Sequence, residues 1–226
     1  MPEALPDAPR NAPAGLRRPR ERILQAAREL FHRYGIRGVG VETIAEAAGT
    51  NKMTLYRHFD SKDDLIVAYL RGVASEAEAM WRDIERKNPG NALAQLHSWL
   101  DLAAQCLASD DRGCDLANAA AELTKEGHPA RRLIEELKIE QRNRLAALCR
   151  SAGIAQSEIL ADTLTLLFDG ARVSRQAAGS NGPSTKFIRT AEKVIEAFRA
   201  GGKRNGKKRT RAGAAESPAP ARRVTR

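Results

Sequence analysis

The chain divides into segments of helix length, and this division limits the folds that it can adopt. Pro19 and Gly35 bracket a segment whose apolar residues recur at the three- and four-residue spacing of an amphipathic helix. Ser61 and Ser157 each precede another segment of this kind, as N-cap residues do. The predicted helices span about residues 19–34, 41–48, 52–58, 61–86, 92–108, 114–125, 129–152, 157–178 and 184–200. No segment alternates apolar and polar residues as a half-buried strand does, so we predict an all-α fold of about nine helices.

The positive charge is concentrated at the two ends of the chain. The formal net charge is +10, but residues 201–226 alone hold nine Lys or Arg against a single Glu. Residues 1–20 are also basic, and residues 21–200 are electrically balanced. Net charge therefore does not by itself indicate that the folded part binds nucleic acid, and a motif is needed for that inference.

Several classes of protein are disfavoured by what the sequence lacks. No apolar run is long enough for a membrane span, and residues 1–19 lack the apolar core of a secretory signal. The three cysteines are scattered, which argues against a disulfide scaffold or a zinc module and suits the cytoplasm. The nucleophile, phosphate-loop and metalloprotease motifs of common enzyme families are missing. We predict a cytoplasmic protein that is not an enzyme and has no metal or cofactor.

Residues 41–59, VETIAEAAGTNKMTLYRHF, have the form of a helix-turn-helix. Two short helices flank a three-residue turn in which Gly49 can adopt a positive φ. Ala45 is small where the second helix crosses the first, and Leu55 and Phe59 supply apolar contacts. The outward face of the second helix then carries Lys52, Met53, Tyr56 and Arg57, which we expect to enter the major groove of DNA.

The end of this motif resembles the DNA-binding domain of TetR-family transcriptional regulators. Residues 54–65, TLYRHFDSKDDL, fit the family string T-L-Y-x-H/Y-F-x-x-K-x-x-L, and the resemblance covers about residues 20–69. Gly40 and Thr50 depart from the family pattern. The resemblance implies that Tyr56 and Lys62 hold phosphates and that His58 lies beside the DNA backbone. The predicted DNA-binding residues are Thr43, Thr50, Asn51, Lys52, Met53, Thr54, Tyr56, Arg57, His58 and Lys62.

Structural roles remain open for three of these residues. Tyr56 could be a packed aromatic side chain, and Thr54 could cap or pack instead of contacting a base. Arg57 could be solvated or could pair with Asp60 or Asp64.

The same resemblance implies a helical body with a ligand pocket and a two-helix dimer surface. Independently, the last two predicted helices carry apolar residues on more than one face, which requires packing partners on more than one side. A dimer would also place two recognition helices about one turn of DNA apart. Ordinary packing within one chain is the alternative. The predicted dimer residues are Leu160, Leu164, Leu167, Phe168, Ala171, Phe187, Ala191, Val194 and Phe198.

Polar residues on an alanine-rich segment are candidates for effector binding. Asn118 and Glu122 lie four residues apart and so share a helix face, with His128 at the following turn. A metal held by Glu122 and His128 is a second possibility, and purely local capping or pairing is a third. Core packing would equally explain the aromatic candidates. The predicted effector-binding residues are Trp81, His97, Trp99, Asn118, Glu122 and His128.

The sequence therefore predicts four regions: a disordered arm (1–16), a helix-turn-helix domain (17–65), an effector-binding and dimerisation domain (66–201) and a basic disordered tail (202–226). The predicted function is that of a homodimeric repressor that binds operator DNA and is released by an unidentified small molecule. An architectural protein that binds DNA with little sequence preference is the alternative. The tail could add phosphate attraction in either case.

Overall fold

The computed structural model describes residues 18–109 and 112–212, with residues 201–212 described by their backbone only. These residues form nine α-helices and no strand, which confirms the predicted all-α fold. Two short 3₁₀ turns, Gly179–Asn181 and Pro183–Lys186, join the last two helices. The helices are α1 Pro19–Tyr34, α2 Val41–Ala47, α3 Lys52–His58, α4 Lys62–Lys87, α5 Ala92–Ser109, α6 Asp115–Glu122, α7 Pro129–Ser151, α8 Ser157–Ala178 and α9 Phe187–Ala212.

Local capping explains several helix starts, but Ser157 is the first residue of α8 and does not cap it as predicted. The side chain of Ser61 accepts a hydrogen bond from the backbone N–H of Asp64, so α4 begins where the sequence predicts. Proline occupies the first turn of both α1 and α7, where a missing N–H has no cost. None of the helices in the described ranges is both long and apolar enough to cross a membrane.

The molecule has two apolar cores. The head core joins α1, α2 and α3 to the first half of α4, to α6 and to the start of α7. The body core is formed by the end of α4 together with α5, α7, α8 and α9. Since α4 passes from one core into the other without a break, the predicted boundary at residue 65 falls inside a continuous helix.

Contacts between helices give the direction of each one in the body. Asp63 lies beside His128 and Glu78 pairs with Arg144, so α4 and α7 run parallel, both leading away from the head. Lys138 pairs with Asp169, whereas Arg150 pairs with Glu158, so α8 returns towards the head.

The turn after α8 reverses the chain once more. Gly182 packs against Ala178, at the end of α8, whereas the ring of Phe187 lies 5.6 Å from that of Phe168, ten residues earlier on α8. The chain therefore moves away from the head between Gly182 and Phe187, and α9 continues in that direction.

Two predicted helix ends were wrong. The sixth helix was expected to reach residue 125, but α6 ends at Glu122 because Leu123 leaves the helical conformation and its carbonyl accepts a hydrogen bond from Arg131. The ninth helix was expected to stop at Gly201-Gly202, but α9 continues to Ala212. A glycine inside a helix costs only about 1 kcal/mol relative to alanine, which does not oblige a helix to end. The predicted arm (1–16) and the tail beyond residue 212 lie outside the described residues.

Five of the predicted dimer residues are buried in the body core of a single chain, packed against its other helices: Leu160, Leu164, Ala171, Phe187 and Ala191. Their part in a dimer stays a prediction. Leu167, Phe168, Val194 and Phe198 are partly buried against the same core. The apolar residues that α8 leaves on the surface are Ile159, Leu166 and Val173.

Candidate nucleic-acid interface

Helix α3 is held on the head by its buried side. Leu55 and Phe59 are almost completely buried in the head core. Gly49 has a φ of 63°, a left-handed conformation that lets the chain turn between α2 and α3. The sequence predicted both the turn and the buried residues, and the structure confirms them.

The opposite side of α3 is open to solvent. Met53 is 68% exposed and Tyr56 is 41% exposed, although both are large side chains with much apolar surface. Lys52, Arg57 and His58 are exposed on the same short helix, while Thr43, Thr50 and Thr54 are half-buried. An exposed group of apolar and basic side chains on a rigid helix is suited to contact with base edges and phosphates.

Two of the predicted DNA-binding residues have local partners. The side-chain oxygen of Asn51 accepts a hydrogen bond from the backbone N–H of Thr54 at 2.9 Å and so caps α3. Arg57 contacts the sulfur of Met53 at 3.7 Å rather than Asp60 or Asp64. The cap fixes the start of α3, and the Arg57 contact covers one edge of Met53.

Lys52 is paired in the DNA-free protein. Its Nζ donates a hydrogen bond to Oε1 of Glu42 at 2.5 Å. This bond raises the pKa of Lys52 and lowers the pKa of Glu42. Lys52 is therefore charged at neutral pH, and Glu42 competes with a phosphate or a base for its ammonium group.

The contacts that Lys62 makes in the structure differ from the phosphate contact that the resemblance implies. Its Nζ donates to the carbonyl oxygens of Ile36 at 2.7 Å and Val39 at 2.5 Å. Burial lowers its pKa, and the ring of Phe31 lies 5.9 Å away. Lys62 thus joins the start of α4 to the loop between α1 and α2, and phosphate contact by Lys62 stays a prediction.

Two arginines near this surface were missed by the sequence analysis. The guanidinium of Arg20 lies 5.0 Å from the ring centre of Phe59, and Nη1 of Arg22 lies 4.0 Å from where a Cβ would stand at Gly49. Both are on α1, next to its buried stripe. Helical spacing beside that stripe was the only signal in the sequence that could have indicated them.

Three predicted effector residues lie at the junction between the head and the rest of the protein. Oε2 of Glu122 accepts a hydrogen bond from the backbone N–H of Arg37 at 2.8 Å. Nδ1 of His128 accepts from the N–H of Ala130, and its Nε2 lies 3.3 Å from Asp63. Asn118 donates to the carbonyl of Arg112. Each therefore has a partner within the chain, and effector binding by these residues stays a prediction.

Glu122 fits closely against the loop between α1 and α2. Gly35 has a φ of 78°, and a Cβ at that position would lie 2.8 Å from Oε1 of Glu122. Glycine therefore permits both the turn after α1 and the close approach of the carboxylate. A metal held by Glu122 and His128 would have to displace these contacts, and the part of the chain that the structure describes holds no cluster of three or more potential ligands.

The other three predicted effector residues are separate from this junction. Trp81 lines a cavity of about 30 Å³ between α4 and α7, and its Nε1 is buried without a hydrogen-bond partner. Trp99 packs edge-on against Phe168. His97 is exposed and bonds to the carbonyl of Leu93. The cavity beside Trp81 has room for about one water molecule.

Comparison with known proteins agrees with this architecture. Residues 23–69 match the tetR family of bacterial regulatory proteins. Over 64 residues the chain is 42% identical to an uncharacterized HTH-type transcriptional regulator of Mycobacterium tuberculosis. The matched segment covers 28% of this chain and 30% of that protein. It is 38% identical over 65 residues to the HTH-type transcriptional repressor KstR2 of Rhodococcus jostii, covering 29% of this chain and 32% of that protein. These matches thus span less than a third of the relatives' length.

A solved structure extends the similarity to the body. The crystal structure of a TetR-family transcriptional regulator from Streptomyces coelicolor superposes with a TM-score of 0.74 at 28% identity, covering 80% of this chain and 95% of that one. The helix-turn-helix residues, the matched segment and the shared helical body together lead to one conclusion: residues 23–69 form a DNA-binding domain of the tetR type, and the chain as a whole is similar to a TetR-family regulator.

Proposed function

We propose that the protein is a homodimeric transcriptional repressor that binds operator DNA and is released by a small-molecule effector. The exposed face of α3 is the observation that carries this proposal. A rigid helix that presents Lys52, Met53 and Tyr56 to solvent has the shape and chemistry of a major-groove reader. A relative named as a repressor, KstR2 of Rhodococcus jostii, supports repression over activation.

Each exposed side chain of α3 suits a particular DNA group. Lys52 can donate to the acceptors on a guanine edge, and Met53 can pack against a thymine methyl group. Tyr56 can donate its hydroxyl to a phosphate oxygen. For base contact Lys52 must leave Glu42, so part of the energy of that contact is offset by the loss of their hydrogen bond.

The surface of α8 supports a homodimer. Ile159, Leu166 and Val173 follow one another at seven-residue intervals and are between 54% and 73% exposed. Residues seven apart lie on one face of a helix, so these side chains form an apolar stripe along α8. A second copy of the chain would cover this stripe and place two α3 helices on one operator, about 34–36 Å apart.

The junction between head and body supports control by an effector. Glu122, at the end of α6, bonds to the loop before α2, while His128 lies beside the first turn of α4. A shift of α6 or α7 would therefore change the position of the DNA-binding helices. The cavity beside Trp81 is too small for a metabolite, so an effector at this place would bind a state in which α4 and α7 separate.

A gel-shift experiment tests the DNA-binding part of the proposal. The probe is the DNA upstream of the protein's own gene, and the variant combines Lys52→Ala with Tyr56→Ala. Both residues are exposed, so we expect an unchanged melting temperature and a loss of operator affinity of at least about a hundredfold, from two lost contacts. Arg132→Ala, an exposed residue on α7, is the control and should bind normally.

Competition with random DNA separates specific repression from the architectural alternative. We expect the random duplex to compete at least about a thousandfold less well than the promoter fragment. Equal competition would favour an architectural protein. Undiminished binding by the folded double variant would contradict α3 as the DNA-binding element.

A further inference from the structure

Glu42 is an acidic residue in direct contact with the proposed DNA-binding face. Its Oε1 accepts the hydrogen bond from Lys52, which is the first residue of α3. The side chains of Glu42 and Lys52 are both more than half exposed, so DNA can reach each of them. A carboxylate at this place repels the phosphates of any duplex, and the binding of an operator gives no reason for its presence.

Two further contacts keep this carboxylate near Lys52. Glu42 accepts a hydrogen bond from its own backbone N–H, and its Oε2 lies 3.6 Å from where a Cβ would stand at Gly40. Gly40 is the N-cap residue of α2 and has no side chain that could cap the helix. Because an acidic side chain is favourable in the first turn of a helix, Glu42 remains at the start of α2 and within reach of Lys52.

The strengths of the competing contacts decide which DNA group can take Lys52 from Glu42. An exposed ion pair changes an equilibrium constant by about fivefold at most. Two hydrogen bonds to O6 and N7 of one guanine change it by about five- to a hundredfold, so a guanine in the right place outweighs the pair. A phosphate oxygen only replaces the carboxylate oxygen, and it leaves an unpaired carboxylate beside the phosphates. Lys52 is therefore available to a matching base and withheld from a phosphate.

We propose that Glu42 is a specificity-determining residue, which holds Lys52 away from the phosphates of random DNA and releases it to a guanine of the operator. This inference rests on the proposed function, since it requires that α3 reads an operator. On a random duplex Lys52 stays with Glu42, whereas on the operator it moves from the carboxylate to the base. Glu42 thus lowers the affinity for random DNA more than the affinity for the operator.

The salt dependence of binding reports whether Lys52 contacts a phosphate. Each phosphate contact adds about 0.9 to the slope of log affinity against log salt concentration, because one more counterion is released. Glu42→Gln removes the charge that holds Lys52 and keeps the length of the side chain. In this variant Lys52 is free to contact a phosphate of a random duplex, so the slope for random DNA should become steeper by about one. The slope for the operator should stay nearly the same, since Lys52 contacts a base there in both proteins.

Fluorescence anisotropy on the full-length chain measures both affinities and both slopes. The probes are the fragment upstream of the protein's own gene and a random duplex of the same length. At about 0.1 M salt we expect Glu42→Gln to raise the affinity for the random duplex about eightfold, from one added phosphate contact. The affinity for the promoter fragment should rise only about twofold, from the ion pair that no longer has to break. The ratio of the two affinities should therefore fall about fourfold.

Two variants separate this role from a general effect of charge. Glu46→Gln removes an exposed acidic side chain one turn later on α2, and Glu46 takes part in none of the ion pairs between described residues. It should leave the slope for random DNA unchanged. Glu42→Gln combined with Lys52→Gln should also show the wild-type slope, because the freed ammonium group is then missing. A steeper slope that appears equally in Glu46→Gln, or that persists without Lys52, would overturn the proposal.

The remaining outcomes distinguish a failure of this inference from a failure of the proposed function. A wild-type chain that binds the promoter fragment no better than the random duplex would contradict the proposed function. If the wild type is selective but Glu42→Gln leaves the slope for random DNA unchanged, or raises both affinities equally, this inference alone is wrong.

Discussion

The head and the body differ in how their polar residues are used. In the head, α3 is capped by Asn51 within its own first turn and presents Lys52, Met53 and Tyr56 to solvent. In the rest of the molecule, Glu122 and His128 are directed towards groups far away in the sequence, Arg37 and Asp63. A short-range motif can therefore predict an exposed surface, whereas a polar residue in an alanine-rich segment indicates only that it needs a partner.

Lys62, at the start of α4, shows where the motif stops being informative. Its place in the family string implies a phosphate contact, yet its ammonium group bonds to two carbonyls of the α1–α2 loop. These bonds hold that loop against the start of α4. A lysine that supports the DNA-binding helices and a lysine that touches DNA look the same in the sequence.

The largest expected effect is on the free energy of unfolding, and it should differ between substitutions on the two sides of α3. Leu55→Ala removes a fully buried side chain from the head core and should lower the free energy of unfolding by about 2–5 kcal/mol. Met53→Ala, two residues earlier and exposed, should leave that free energy within about 0.5 kcal/mol and weaken operator binding. Urea denaturation and fluorescence anisotropy measure the two quantities.

The opposite pattern would contradict the assignment of one buried and one exposed side to α3. If Met53→Ala destabilised the protein as much as Leu55→Ala does, α3 would be packed on both sides and could not serve as a DNA-binding surface.

The fold was predictable because its signals are local. Pro19, Ser61 and Pro129 mark helix starts through capping and backbone geometry that involve only a few neighbouring residues. The exceptions involve longer-range or weaker effects. Helix α6 ends early where Arg131, eight residues on, takes the carbonyl of Leu123, and α9 continues through two glycines.

The candidate site was predictable only in part. The helical periodicity of the sequence correctly predicts that Leu55 and Phe59 are buried and that Tyr56 is exposed. It could not distinguish the buried Leu164 of α8 from the exposed Leu166, because both faces of that helix are apolar. Nor could it pair Glu122 with Arg37, since 85 residues separate them and only the packing of α6 on the head brings them together.

The next largest expected effect is on the dimer Kd, when a charge is introduced on the exposed apolar stripe of α8. Leu166 is 73% exposed, so Leu166→Asp should leave the monomer folded. In a dimer that covers this residue, an unpaired carboxylate would be buried at a cost of several kcal/mol, so the dimer Kd should rise at least about a hundredfold. Analytical ultracentrifugation measures the Kd.

Ile139→Asp provides the matched control. Ile139 is an exposed apolar residue on α7 rather than α8, and its substitution should leave the dimer intact. If Ile139→Asp dissociates the dimer and Leu166→Asp does not, the partner surface lies on α7.

A smaller effect is expected at the junction between the two regions. Glu122→Ala removes the acceptor of the Arg37 N–H and should lower the free energy of unfolding by about 1–3 kcal/mol, with weaker operator binding because the loop before α2 is released. Glu122→Gln keeps an oxygen acceptor at the same place and should restore most of both properties. Equal losses in the two variants, measured by urea denaturation and anisotropy, would show that the hydrogen bond does not position the loop.

The smallest expected effect concerns the acid stability of the body. Arg142 on α7 bonds to Asp162 and Glu158 on α8, and these bonds lower the pKa of both carboxyl groups. A carboxyl whose pKa is lower in the folded state stabilises the protein above its ordinary pKa, and this contribution is lost as the pH falls through the lowered value.

Arg142→Gln should therefore reduce the melting temperature at neutral pH, by a few degrees at most because the pairs are exposed, and the gap from wild type should close as the pH falls below about 4. Arg132→Gln is the control, since its partner Glu136 lies on the same helix and the pair does not join α7 to α8. Melting followed by circular dichroism across this pH range measures the gap. A gap that stays constant with pH would mean that Arg142 stabilises the body through the packing of its side chain and not through its charge, and the α7–α8 contact would then owe its strength to apolar packing, as the α3 contact with the head does.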